Sequence, residues 1–420
     1  MGATIAEKIL ARAAARDRVT PGEYIWATPD LTVAHDRDYP RYRQRMKAVG
    51  LHKIAAAAKL VVSIDHRPYS NDAREIETRA WTRNDIKEQG VGTFFDLGRN
   101  GISHNITVDH GMVRPGMLVI TADTRSPALG CVGALGIANG SGFIVTLYTG
   151  KTWLQVPHTI KVTVSGQARP GVLSRDISTH IIGTIGGSKA DYRVLEFSGT
   201  AMEAMSVEER HTLCNAMVDI GVKGAIVVPD KVTAEYCRRF PYATPDTFVT
   251  SDTDAHFESE LHFDIGTLEP QISCPPEPEN VAPVSKVAGQ KIDQAFVGSC
   301  MGGKIDDLRA AAAVLRGHKV AQGVRLIVIP ATYVAYQQAL EEGLMQVFAA
   351  AGAQVAIGTC GPCCGLISPL GDGETCISTS TRNDPGRMGS PNSTIYLASA
   401  ATVAASAVTG TISDPREFLK

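Results

Sequence analysis

Three cysteines in the last third of the chain, Cys300, Cys360 and Cys363, carry the strongest chemical signal. Thiolates bind zinc or iron–sulfur clusters, and a set of three leaves a coordination position open, as a Lewis-acid site requires. C-x-x-C by itself also fits a redox pair or a zinc half-site, and a buried thiol fits plain core packing. Cys364 leaves two registers open, Cys360 with Cys363 or Cys360 with Cys364. No fourth protein ligand is evident, because Cys376 precedes a Ser/Thr-rich run that reads as core. Asp65-His66 has the make-up of a carboxylate-oriented general acid and also of a hydrogen-bonded surface pair. His104 follows a glycine-rich turn, in which a catalytic residue and a plain loop residue look alike. Arg382 and Arg387 can clamp carboxylates in bidentate fashion, or serve as ordinary loop cations. Asp123 and Arg125 lie two apart and can pair with each other. Lys304 follows two glycines, but the Walker spacing is absent, which argues against nucleotide binding.

The elements that must position these groups are short strands closed by glycine or polar residues. Residues 61–64 end at Asp65-His66, residues 93–97 run into Gly98–Gly101 and His104, and residues 117–122 end at Asp123. Residues 295–297 and 355–357 end in Gly-Ser-Cys and Gly-Thr-Cys. A helix over 305–316 separates them, with Asp306 and Asp307 in its first turn. Alternating strands and helices build parallel sheets, and ligands bind beyond the C-terminal strand ends. Ser206-Val207-Glu208-Glu209 is a capping box opening a helix that Gly221 can close, with Asn215 and Asp219 on one face. Residues 1–20 read as a helix, the proline-rich run at 274–278 as a domain linker, and residues 396–408 as an alanine-rich helix.

A chain of 420 residues exceeds one core, so two to four domains are expected. Hydrophobic content of 44% and charged content of 20% are those of a globular protein. A net charge of -2 gives no basic footprint for nucleic acid, and no apolar run is long enough to span a bilayer. The first twelve residues read as helix and not as a signal peptide. Nine scattered cysteines suit a reducing compartment, so a cytoplasmic protein is expected, with neither nucleic acid nor membrane as partner.

Taken together, these residues resemble the aconitase superfamily, specifically the large subunits of 3-isopropylmalate dehydratase and homoaconitase. The likeness runs from Thr4-Ile5-Ala6-Glu7-Lys8-Ile9-Leu10 to Ser413-Asp414-Pro415-Arg416-Glu417-Phe418-Leu419. Its best blocks are residues 297–304, 358–365 and 376–388, with support from 95–104 and Thr149-Gly150-Lys151-Thr152-Trp153. The resemblance implies an α/β fold of three α/β/α domains around a central cleft, spanning residues 1–156, 157–283 and 284–420. It implies a hydro-lyase acting on a hydroxy-dicarboxylate, with a [4Fe–4S] cluster on Cys300, Cys360 and Cys363. Asp65, His66, His104, Asp123 and Asp219 then stand at catalytic positions, and Thr124, Arg125, Asn215, Arg382 and Arg387 at substrate positions. The family's base lies on a small swivelling domain that the residues after Gly410 are too few to form. A separate small subunit is therefore implied, in a heterodimer or heterotetramer.

The chain departs from the family where Asp-Ser-His-Thr becomes Asp123-Thr124-Arg125-Ser126 and a Glu shortens to Asp219. Cys-Thr-Asn-Gly-Arg becomes Cys300-Met301-Gly302-Gly303-Lys304, and Ser-Asn-Arg-Asn becomes Ser380-Thr381-Arg382-Asn383. These changes point to an altered substrate with the cluster kept, Arg125 either binding an extra carboxylate or neutralising Asp123. The default substrate is 3-isopropylmalate; homocitrate or homoaconitate, a dimethylmalate, and a citramalate or maleate type are the alternatives. A cluster-sensing RNA-binding regulator and a scaffold that has lost its cluster are readings from other classes.

Overall fold

Strands that are short and buried from end to end dominate the chain, as in Leu60–Ser63, Leu118–Thr121, Gly224–Val227 and Gln294–Val297. Strands of that kind sit between two helical layers. A computed structural model describes residues 2–242 and 248–419 and places these strands in three main sheets. The first sheet is parallel throughout, in the order Thr93–Phe95, Leu60–Ser63, Leu31–His35, Leu118–Thr121, Leu135–Ala138. The second is also parallel, with Val194–Ser198 and Thr159–Ser165 between Gly224–Val227 and Ser259–Asp264. The third has seven strands, with Gln294–Val297 between Thr375–Ser378 and Arg325–Val328, all three parallel. An antiparallel ribbon, Tyr24–Ala27 with Thr152–Gln155, closes the first unit. Among the described residues, no helix is long and apolar enough to cross a membrane.

The capping box forms as its sequence predicts. Ser206 Oγ accepts the Glu209 N–H at 3.2 Å, and a Glu209 carboxylate oxygen accepts the Ser206 N–H at 2.9 Å. The helix Val207–Ala216 then tightens into a 3₁₀ turn, Met217–Ile220, which Gly221 ends at φ +79°. Three boundaries differ from expectation. The N-terminal helix is only Ile5–Ala13, because Thr4 and Glu7 form a capping box there and Ala15 turns to φ +53°. The alanine-rich helix is Ala400–Thr409; Thr394–Ala398 before it is a strand, as β-branched and aromatic side chains favour. The proline-rich run at 274–278 lies between Gln271–Ser273 and Val281–Pro283, which pair with each other in the third sheet. It is a turn within that sheet and not a linker ahead of it, a place where residues without a backbone donor fit.

The first two sheets meet through the 3₁₀ segment Ser126–Val132. At Gly130 a Cβ would lie 1.6 Å from the Ala225 carbonyl oxygen. Backbone cannot yield there as a flexible side chain can, so Gly130→Ala is expected to destabilise the protein by about 3 kcal/mol. A thermal midpoint unchanged by this substitution would show that the two sheets can slide apart.

Candidate active site

The C-terminal ends of the first and third sheets face each other across one cavity of about 530 Å³. Its wall includes His66, His104, Cys300, Cys360, Cys363 and Arg387. The strand Gln294–Val297 delivers Cys300 through a turn that is conformationally demanding. Ser299 sits in the left-handed region at φ +64°, and its hydroxyl donates to the Thr379 carbonyl at 3.1 Å. Cβ atoms at Gly302 and Gly303 would come within 2.3 Å of Thr379 and 2.7 Å of Ala331, so only glycine allows the turn to pack. The buried Asn105 and Asn215 side chains donate to the Cys300 carbonyl at 3.3 and 3.5 Å. Cys360 and Cys363 arrive on the 3₁₀ turn Gly361–Cys364 and its first flanking residue. Cys363 is buried, its sulfur 3.6 Å from Thr381 Oγ1 and 4.0 Å from an Arg387 nitrogen. Cys364 reaches the same cavity, on the side of Cys360 and His66. Burial pushes the Cys300 thiol up to about 12, against the pull of Arg125.

Backbone contacts tie the two sheets together at this point. The Cys360 N–H donates to the Asp65 carbonyl at 3.0 Å, and Asn100 Nδ2 donates to the Gly358 carbonyl at 2.8 Å. Gly101 and Thr332 form an isolated bridge between the same two units.

Asp65 is fully buried behind His66, with Oδ1 2.5 Å from His66 Nδ1 and Oδ2 accepting the Ser103 N–H at 2.9 Å. Burial would raise this carboxyl, but the charges of His66 and His35 and the two hydrogen bonds outweigh it and hold it low. For His66 the balance runs the other way. Burial would lower the imidazole, and the Asp65 carboxylate raises it well above its ordinary value.

The strand Leu31–His35 supplies groups that sequence reasoning missed. Asp36 accepts three consecutive N–H groups, those of Asp65, His66 and Arg67, at 3.2, 3.0 and 2.9 Å. The His35 ring packs on His66 with centroids 4.3 Å apart, and its Nε2 lies 3.2 Å from Asp38 and 3.6 Å from Asp123. Nothing in residues 31–38 has a diagnostic spacing, and only a histidine at a strand end could have flagged them.

Asp123 accepts the Arg125 backbone N–H at 2.7 Å, and Thr124 lines the cavity. The Arg125 guanidinium turns away from Asp123 and forms a two-pronged ion pair with Asp219, at 3.0 and 2.7 Å. It also donates to the carbonyls of Asn215 and Thr381 at 3.3 and 3.5 Å. Its charge partner is thus Asp219 and not Asp123, while Arg125 still lines the cavity. Asn215 and Asp219 stand behind the wall and reach the cavity through Cys300 and Arg125. Arg382 is half-exposed at the rim, its Nε 3.7 Å from Asp219. Arg175, also missed, is buried with Nε and Nη1 unpaired; Ser174-Arg175-Asp176 carries no motif.

A buried acid–imidazole pair, several thiols and five arginines around one cavity can bind a metal group and an anionic hydroxy acid together. Comparison with known proteins gives the same direction. Residues 7–410 match the model of the aconitase family (aconitate hydratase). The chain is 40% identical over 100% of both chains to 3-isopropylmalate dehydratase large subunit 1 of Methanopyrus kandleri. It is 41% identical to the 3-isopropylmalate dehydratase large subunit of Aquifex aeolicus, covering 100% of this chain and 98% of that one. It is also 39% identical to the probable methanogen homoaconitase large subunit of Methanothermobacter thermautotrophicus, over 98% and 97% of the two chains. With matches of this extent, the chain belongs to the aconitase family and has that family's α/β fold.

Proposed function

We propose that this chain is the large subunit of an iron–sulfur hydro-lyase that dehydrates or isomerises a substituted malate. The observation that carries the reading is the meeting of Cys300, Cys360 and Cys363 with the Asp65–His66 pair and Arg387 at one cavity. The residues fit a [4Fe–4S] cluster held by those three sulfurs. A buried thiol with a raised pKa becomes a thiolate only when a cation joins it, and Arg387 and Arg125 balance the resulting charge. Bound there, the cluster supplies a Lewis acid for the substrate's hydroxyl and carboxylate.

The chain's own groups do the rest. Hydroxide is a poor leaving group and needs a proton as it departs. His66 Nδ1 is engaged by Asp65, so Nε2 is the nitrogen that donates toward the cavity. Asp65 fixes the tautomer and keeps the ring charged, and Asp36 fixes the turn that carries both. Arg382 and Arg387 bind carboxylates. A partner small subunit supplies the base for the carbon-bound proton, as the "large subunit" names of the relatives support.

One observation favours a second substrate class. Among the described residues, no leucine, isoleucine or valine lines the cavity, whereas Arg37, Arg41 and Asp38 do. An isopropyl group finds no aliphatic wall on this subunit, so a malate with a small or polar side group is the second reading. The test is anaerobic co-expression with the small subunit, iron and sulfide analysis, and turnover of a malate panel. The expected result is about four irons per large subunit and turnover of at least one malate. A folded complex without iron, or without activity on any of them, would refute the proposal.

A further inference from the structure

Behind the cavity wall lies a line of buried polar groups with no part in the steps above. His104 lines the active cavity, and its ring also faces His211, with planes within 8° and centroids 5.8 Å apart. Both residues are 2% exposed. None of their four ring nitrogens makes a well-formed hydrogen bond within the chain, and His211 only approaches the His104 carbonyl. Buried imidazole nitrogens left this way call for water or a proton partner. The space for it exists. His211 borders a void of about 10 Å³ together with Asn105, Asp109, Glu208 and Lys304. Those four also border a larger space of about 40 Å³ that extends to Thr332, Gln338 and the exposed Arg239. One water needs roughly 10–15 Å³, so these spaces hold about one and about three. The Asn105 amide oxygen beside them is unpaired as well. Asp109 accepts the Thr332 hydroxyl at 2.5 Å, and burial pushes its carboxyl up to about 6, where it exchanges a proton near neutral pH.

We infer that His211 and His104, fed by water held at Asp109 and Glu208, form a proton route from solvent to the active cavity that is separate from the cavity mouth. A proton arriving from solvent through the held water binds one nitrogen of His211, and the proton on its other nitrogen leaves toward His104, directly or through one water. His104 then releases its own proton into the cavity. Each ring gains and loses one N–H, so no charge accumulates, and the same route runs backward to discharge a proton. Burial, helped by the positive charge of Lys304, itself tied to Asp307 at 2.7 Å, keeps His211 neutral at rest. The inference rests on the hydro-lyase reading: a dehydration that releases its water leaves the active-site acid without its proton, and with a small subunit over the mouth that proton must return by another way.

The test uses the cluster-loaded complex and compares wild type with His211→Phe, His211→Ala and Glu208→Gln. The expected result is a kcat about tenfold lower in His211→Phe with KM nearly unchanged and a larger solvent deuterium isotope effect. Added imidazole is expected to restore His211→Ala but to leave wild type as it was. If His211→Phe does not fold, the partly exposed Glu208→Gln carries the test through the same rise in isotope effect. Unchanged kcat and isotope effect in folded His211→Phe, or in Glu208→Gln where that variant carries the test, would overturn the route. So would failure of imidazole to rescue folded His211→Ala. Wild type inactive on every malate would overturn the hydro-lyase reading itself and the route with it.

Discussion

Cys300→Ser is expected to leave the chain folded, deprive it of most of its iron, and lower turnover about a thousandfold or more. The turn around Cys300 is fixed by Ser299, by the glycines that pack on Thr379 and Ala331, and by two amides on the Cys300 carbonyl. None of these contacts uses the sulfur, and serine differs by one atom, so the fold has little reason to change. A serine hydroxyl is a far weaker ligand than a thiolate. Loss of a Lewis acid removes several kcal/mol of transition-state stabilisation, and each 1.4 kcal/mol is tenfold in rate. The controls are informative. Cys376 sits in a buried strand within an apolar cluster, its sulfur against Gln294 and the Ile377 carbonyl and away from the cavity lining, so Cys376→Ser keeps its iron. Cys364→Ser decides the register, because it too keeps iron if Cys363 is the ligand. Iron and sulfide measured per chain under anaerobic conditions, with circular dichroism alongside, gives the answer. Full iron content and activity in Cys300→Ser would remove the ligand set from consideration.

The second large effect is expected at Asp65. The charged His66 exists near neutral pH because a carboxylate lies 2.5 Å from its Nδ1. Asp65→Asn removes that charge and lets burial lower the imidazole pKa. A general acid works only while protonated, so activity is lost as pH rises through its pKa. In wild type that alkaline limb lies above neutrality; in Asp65→Asn it moves to lower pH. The loss is expected to be about a hundredfold at neutral pH, smaller in mildly acidic buffer and larger in alkaline buffer. The kcat profile over pH distinguishes this from damage to the fold, which would lower activity at every pH. A profile with its alkaline limb in place would show that His66 is not the donor.

Much of this site was legible because glycine and cysteine lie two residues apart just past the strands. Gly298-Ser299-Cys300 and Gly358-Thr359-Cys360 announce a chain reversal and a candidate ligand together, and Asp65-His66 follows a short, largely apolar strand. The capping box at Ser206 was legible for the same reason, since one local contact fixes it. What escaped is long-range. His35 and Asp36 depend on the strand Leu31–His35 lying beside Leu60–Ser63, a pairing that no local pattern encodes. Arg125 was two residues from one aspartate and in contact with another far along the chain. Sequence proximity favoured Asp123, while the three-dimensional packing of the helix Val207–Ala216 and its 3₁₀ extension brought Asp219 instead. Prolines at 274–278 signalled a break in regular structure without telling a turn inside a sheet from a linker between units.

His66, the proposed proton donor, and the thiols belong to different sheets, joined by the Cys360–Asp65 backbone bond, the Asn100–Gly358 bond and the Gly101–Thr332 bridge. Each half can keep its helices and strands while the two drift apart by an ångström. Catalysis is therefore more fragile than architecture here: on warming, competence disappears at a temperature where the ellipticity is still that of the intact protein.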